Sequence, residues 1–284
     1  MVIVITGILA SVVAVFIRGA VDSYADSARR AELTDTADTV LRRISRDLRL
    51  AVPNSVRVVQ QGGVVYLELL LAKTGGRYQG GAAENCFITG CSSITTLGSV
   101  VETLGTPVAA PAVPGGPAGG RYALASIVGG SDRIVIYNQY SNSGGDCGND
   151  NPSVYCGQNL STLSAPPVID GAGQDVFNFA NHTFVPLGGS PSQRFQIVDG
   201  PVTYACDPGN RQIVRYGGYP LAAVQPTPPA GGSASLLATH VANCQFDYQQ
   251  GVMERWGLAS LYIQLSERNE AVSLRHEVPI NNAP

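Results

Sequence analysis

The first 52 residues constrain this chain most, because they contain no proline and read as one uninterrupted helix. From Met1 to Ile17 not one residue is charged. Seventeen residues at about 1.5 Å each give roughly 26 Å of helix, slightly short of a ~30 Å hydrocarbon core. Eleven of them are Val, Ile, Leu or Phe, each favouring bilayer insertion by roughly 0.3–0.6 kcal/mol. A cleavable secretory signal is a poor reading. No basic region precedes the apolar run, no small-x-small site follows it, and Arg18 opens more helix instead. The stretch 1–17 is therefore expected to be a transmembrane segment or the buried core of an assembly.

Beyond Arg18 the pattern stays helical. Val21, Tyr24, Ala28 and Ala31 are read as an apolar stripe that Ala37, Val40, Leu41, Ile44 and Leu48 continue. Aspartates and arginines, among them Asp26, Asp35, Asp38, Arg42, Arg43, Arg46 and Arg49, lie opposite. Arginines crowd the last turns, where the helix dipole favours positive charge, and Pro53-Asn54 ends the run. The expectation is one helix of about 50 residues and roughly 75 Å, whose front third projects beyond any globular body. Gly19, at the change from apolar to charged sequence, is a place for a bend.

After Pro53 the period changes from 3.6 to 2. Strands are expected at 55–60, 64–71, 132–138, 194–198, 202–206, 211–216, 241–248, 257–266 and 271–280, with Glu267-Arg268-Asn269-Glu270 turning the last hairpin. No second strong helix is available for parallel crossovers, so the sheet is expected to be antiparallel. The expected class is α+β: residues 1–52 a long N-terminal helix, half membrane-spanning and half packed on the head, and 53–284 a β-rich head. Residues 105–120, 141–158 and 217–235 read as Pro/Gly- or Gly/Asn/Asp-rich loops.

The net charge of −3 and the absence of a long basic cluster argue against nucleic acid as a partner. Six cysteines, Cys86, Cys91, Cys147, Cys156, Cys206 and Cys244, contain no C-x-x-C pair and lack zinc-site spacing. Disulfides in an oxidising compartment suit them better. Nearest-neighbour pairing is the simplest of about fifteen connectivities, and loop entropy makes the two short loops worth roughly 2–3 kcal/mol each and the long one nearer 4.

Catalytic chemistry is hard to find. The sequence has no G-x-S-x-G elbow, phosphate loop or H-E-x-x-H motif, and its carboxylates are scattered. No catalytic residue and no cofactor is therefore expected, and the chain does not read as an enzyme. His276 falls on the apolar side of the last strand as a core residue, while His182 and His240 lack acidic or thiol neighbours at ligand spacing. Asp146, Asn149, Asp150 and Asn151 form a weak calcium candidate without EF-hand spacing, more economically read as a disulfide-closed loop. Trp256, the only tryptophan, is expected to pack at a sheet edge.

The stretch MVIVITGILASVVAVFIRGAVDSYADSARRAELTDTADTVLRRISRDLRLAVPNSVRV resembles the N-terminal helix of type IV prepilin-like proteins. Within them it is most similar to the O-type minor pilins of the mannose-sensitive haemagglutinin pilus system. A looser likeness runs through VTYACDPGNRQIVRYGGY and LLATHVANCQFDY. The family's basic leader and following glutamate do not occur here, so the chain is expected to begin about seven residues inside the mature helix, which would make the full apolar run about 24 residues. The resemblance implies a minor pilin or pseudopilin that primes assembly or caps the tip of a filament. It implies an inner-membrane stage with a periplasmic head, then a cell-surface filament. The implied partners are other pilin and minor pilin subunits, the inner membrane before assembly, a prepilin peptidase and an assembly platform. Met1–Ile17 would form the filament core, and Arg42, Arg43, Arg46 and Arg49 would face neighbouring acidic surfaces. The alternatives are a tip adhesin binding a surface glycan through its loops and a single-pass periplasmic domain of unknown activity.

Overall fold

The three-dimensional structure, a computed structural model, describes residues 2–80, 86–97, 127–141, 145–148, 151–185, 190–250, 256–268 and 270–284, with only the backbone of 2, 3, 8–20 and 22. Among these residues one α-helix, α1 (Val2–Arg49), is followed by thirteen strands. The chain is thus mainly β, which corrects the expected α+β class. The physical reason is that more of the Gly-rich remainder pairs into strands than its periodicity showed.

Among the described residues no helix is long and apolar enough to cross a membrane. The expected transmembrane segment over 1–17 is withdrawn, and with it the inner-membrane placement and periplasmic head.

The largest sheet runs β1 (Arg57–Gln61), β2 (Val64–Arg77), β8 (Arg194–Asp207), β4 (Arg133–Ile136) and β5 (Leu160–Thr162), with β9 (Gln212–Gly217) and β10 (Ser233–Thr239) branching from β8. A second sheet is the meander β11 (Val241–Gln250), β12 (Trp256–Glu267) and β13 (Glu270–Asn281). A third joins β3 (Cys91–Thr95), β7 (Asp175–His182) and β6 (Val168–Ile169). Every described strand pair is antiparallel. The two strands expected at 194–198 and 202–206 are one strand, β8. Its first half pairs with β4 and its second with β9, while β2 runs beside both. Asp199-Gly200-Pro201 marks the change of partner, and that is the break seen in the sequence.

Gly62 and Gly63 join β1 to β2 with φ of 60° and 81°. A two-residue turn with both φ values positive matches the twist of the strands and pins their register, and only glycine adopts it at low cost.

The C-terminal half of α1 packs on β12 and β13 and reaches β2 and β10. Leu33, Ala37, Val40, Leu41, Ile44 and Leu48 are buried there with Leu67, Leu69, Tyr204, Leu261 and Ile263. Burial of each large aliphatic side chain contributes about 1.5–3 kcal/mol. The single stripe expected along the helix is corrected: Val21 is 58% and Tyr24 78% exposed, and Ala28 and Ala31 are exposed as well. The six-residue step from Ala31 to Ala37 turns the helix by roughly 240°. The two halves of the stripe therefore face opposite ways, one into the sheet and one outward.

A second, aromatic core lies between the third sheet and the far end of β8. It holds Phe87, Phe177, Phe179, Phe184 and Phe195, with Phe177 and Phe195 tilted at 5.1 Å between ring centres. The disulfides are Cys86–Cys91, Cys147–Cys156 and Cys206–Cys244, the nearest-neighbour set. The first ties the edge of the aromatic core, and the third joins β8 to β11 across two sheets.

Candidate assembly surface

With its inward residues spent on the core, α1 offers a second face that is largely exposed among the described residues. Val21, Tyr24, Ala28 and Ala31 lead along it, followed by Asp35 and Asp38 and then by Arg42, Arg46 and Arg49. Nearer the N-terminus Val4 and Ile5, about 100° apart around the helix and off this face, are 66% and 56% exposed. Exposed apolar side chains repeated on one helix face mark a contact surface more often than isolated ones do. Charge separates along this face. Arg42 Nε meets Asp38 Oδ2 at 2.6 Å in an i,i+4 pair, and that hydrogen bond, with the Asp38 charge, raises the Arg42 pKa above its ordinary value. Arg43 and Arg49 are exposed and take part in no ion pair among the described residues. An open groove of about 670 Å³ runs beside the helix, lined by Ser27, Arg30, Ala31, Thr34, Asp35 and Asp38 with Leu274 of β13.

What fixes the rotation of α1 is a polar contact the sequence reading missed. Asp47 is 4% exposed. Its Oδ2 accepts a 2.5 Å hydrogen bond from the Tyr204 hydroxyl and lies 3.5 Å from Arg215 Nε. Burial first, then the Asp47 charge, push the Tyr204 pKa up, so the phenol stays a donor. Arg46 and Arg49, on the other side of the same turn, remain outside.

A second missed group lies at the root of the β1–β2 hairpin. Arg57 and Glu68 are 1% and 0% exposed. Arg57 donates from Nε to Oε2 at 3.1 Å and from Nη2 to Oε1 at 3.2 Å. Its remaining donors reach the carbonyls of Ala222 and Ala223 at 2.9 and 2.6 Å, and its guanidinium carbon sits 3.6 Å over the Tyr155 ring. Burial pushes the Glu68 carboxyl up to about 7, against the opposing pull of Arg57. Burial also raises the Tyr219 phenol, which shares a 2.6 Å hydrogen bond with Thr203. With the guanidinium directed at two backbone carbonyls, the cluster holds the 220–225 loop against the sheet. Charged residues inside otherwise apolar strands, Arg57 between Val56 and Val58 and Glu68 between Leu67 and Leu69, were the available signal.

Of the calcium candidate, Asn149 and Asp150 lie outside the described residues. Asn151 Nδ2 donates to the backbone carbonyl of Asp146 at 2.5 Å, a bond that closes the loop on itself. Among the described residues no group of three His, Cys, Asp or Glu side chains is placed to hold a metal. The histidines occupy separate elements. His182 Nε2 lies 2.8 Å from the Gln158 carbonyl and its ring meets Phe184 edge-on at 4.7 Å. His240 approaches Thr239 Oγ1 at 3.1 Å, and His276 is half-buried on the inward face of β13. Trp256 does not pack at the sheet edge as expected. It opens β12 opposite Asn281 and is 64% exposed, because its neighbours on that outward face are mostly short or polar. No protein-family model, curated protein or solved structure matches this chain.

Proposed function

We propose that the chain is a minor pilin-type subunit that joins a filament through the uncovered face of α1, priming assembly or capping the tip. One observation carries the reading. Among the residues of α1 whose burial is described, the first buried one is Leu33, while Val4, Ile5, Val21 and Tyr24 ahead of it are more than half exposed. A helix of 48 residues and roughly 72 Å has no use for that length in a lone body. Its apolar side chains leave water when similar helices pack side by side. The partners are other subunits carrying a like helix. The resemblance of residues 1–58 to the prepilin-like helix points the same way.

Aspartate at Ile5, or at Ile8 or Val12, is expected to abolish incorporation into sedimentable assemblies. Thermal unfolding and the three disulfides of the body should stay as they are. Normal incorporation of Ile5→Asp overturns the reading.

A second reading, an adhesive tip, draws on the exposed Trp256 and Leu258, 64% and 40% exposed at one end of β12. Binding of the full chain to immobilised glycans that is lost in Trp256→Ala would favour it, and the absence of any glycan binding would remove it.

A further inference from the structure

The strand β10, SASLLAT, carries no charge and no proline. It pairs with β9 on one side, and no strand pairs with its other side among the described residues. Ser233, Ala234, Ser235 and Leu236 are all exposed, Leu236 by 58%. An open strand edge presents a row of unpaired N–H and C=O groups, and proteins blunt such rows with charges, prolines, short strands or a covering loop. The other described edges are blunted in these ways. β13 carries exposed Arg275, Glu277 and Pro279 along its length. β11 carries exposed Asp247 and is tied to β8 by Cys206–Cys244. β1 has the 222–227 loop fastened to it through Arg57 and Gln61. β3 is engaged at Thr95, whose carbonyl accepts from the Gln79 amide at 2.8 Å. β5 and β6 are three and two residues long. Among the described strands β10 alone leaves four consecutive exposed residues on an unguarded edge.

We propose that this edge docks β10 of a second copy of the chain, the two strands pairing antiparallel about a two-fold axis through Ser235. A strand without ions has nothing to select a charged partner. Its own copy meets it with no like charges opposed and with small serine and alanine side chains at the join. The contact uses the same residues on both sides, so it closes as a dimer. It is independent of the filament reading, since it uses no residue of α1.

The register follows from the ends of the exposed segment. Directly opposed residues of an antiparallel pair share a face, so a two-fold axis passes through a residue and its own copy. An axis at Ser235 sets exposed Leu236 of each copy over the small Ala234 of the other. An axis at Ala234 draws Gly232 into the ladder, and its φ of 74° is not that of a strand. An axis at Leu236 puts the register shift between Leu236 and Ala238 at the centre of the new ladder. The helices fit as well. Arg215 of β9 meets Asp47 of α1, and three strand spacings, about 14 Å, separate β9 from its copy in the paired sheets. That exceeds the ~10 Å diameter of a helix. A single strand pair buries less surface than a permanent dimer does, so the association is reversible.

The test uses the full chain in a mild non-ionic detergent that keeps the apolar N-terminal stretches apart. Analytical ultracentrifugation is expected to show a monomer–dimer equilibrium with a Kd below about 1 mM. Leu236→Lys, which places a charge on the edge, should weaken it at least ten-fold without changing the melting temperature. Directly opposed residues have Cβ atoms about 5 Å apart, so Ser235→Cys should give at least ten-fold more oxidised, cross-linked dimer than Ser233→Cys, which the axis carries away from its copy. A chain that stays monomeric to about 1 mM, a dimer indifferent to Leu236→Lys, or equal cross-linking of the two cysteine variants overturns the proposal. Repeating the measurement on Ile5→Asp separates the two readings, because loss of filament assembly there leaves the β10 dimer intact.

Discussion

Arg57 and Glu68 face each other across the β1–β2 ladder as directly opposed residues, and their side chains form a bidentate ion pair with no exposed surface. Two charges removed from water repay that cost only while both are present. Arg57→Met is therefore expected to lower unfolding stability by about 3–5 kcal/mol, measured by urea denaturation. Arg57→Met combined with Glu68→Leu should recover most of the loss, because no unpaired charge is left inside. The single and double variants being equally unstable would mean that the guanidinium's grip on Ala222 and Ala223 dominates instead.

The same pair makes stability depend on pH. Below about pH 4.5 Glu68 is protonated whether the chain is folded or not. Its folded-state pKa is raised from 4.5 to about 7, with burial as the main cause. Between these values the folded chain holds a proton that the unfolded chain has released, so stability falls as pH rises. The contribution of Glu68 should decline as pH rises from about 4.5 to about 7. Glu68→Gln should match the unaltered chain near pH 4.5 and become relatively more stable above pH 7. Parallel stability curves for the two chains across that range would refute the assignment.

Some of this architecture was legible in the residues. Leu261, Ile263 and Leu265 alternate cleanly because β12 has one face on the core, and all three are buried. Strands such as β7, DVFNFANH, were passed over because Asn178 and Asn181 break the β-propensity, although Phe177 and Phe179 are buried on one side. The register at Gly62-Gly63 could have been carried one step further, since a two-residue turn there sets Arg57 opposite Glu68. The two-faced character of α1 was hidden because apolar spacing alone does not say which stripe meets the sheet. Only the packing of Leu41 and Ile44 decides that.

The third disulfide, Cys206–Cys244, closes a sequence separation of 38 residues and joins β8 to β11, whereas Cys147–Cys156 and Cys86–Cys91 close separations of 9 and 5. Loop-closure entropy makes the first worth about 4 kcal/mol and the other two roughly 2–3 kcal/mol each. Replacing each pair with alanines should lower the melting temperature most for Cys206/Cys244. A larger drop for Cys86/Cys91 would mean that packing of the aromatic core around Phe87, not chain entropy, sets the order.

Asp47 is the polar contact that sets the helix's rotation, so its removal should be felt at both ends of the proposed function. Asp47→Ala leaves the buried Tyr204 hydroxyl without its acceptor and Arg215 without its counter-ion, at an expected cost of about 1–3 kcal/mol. Asp47→Asn keeps an acceptor for Tyr204 and should cost less. Tyr204→Phe removes the donor and leaves the carboxylate half-served, so the Asp47→Ala/Tyr204→Phe double variant should be less destabilised than the two single losses added together. The aliphatic contacts of Leu41, Ile44 and Leu48 still hold the helix down in these variants. Its rotation, however, loses its polar stop. Hydrogen exchange at the amides of 40–49 should rise in Asp47→Ala while exchange in β12 does not. Uniformly faster exchange throughout the body would place Asp47 in general stability and not in orienting the face that carries Asp35 and Arg42.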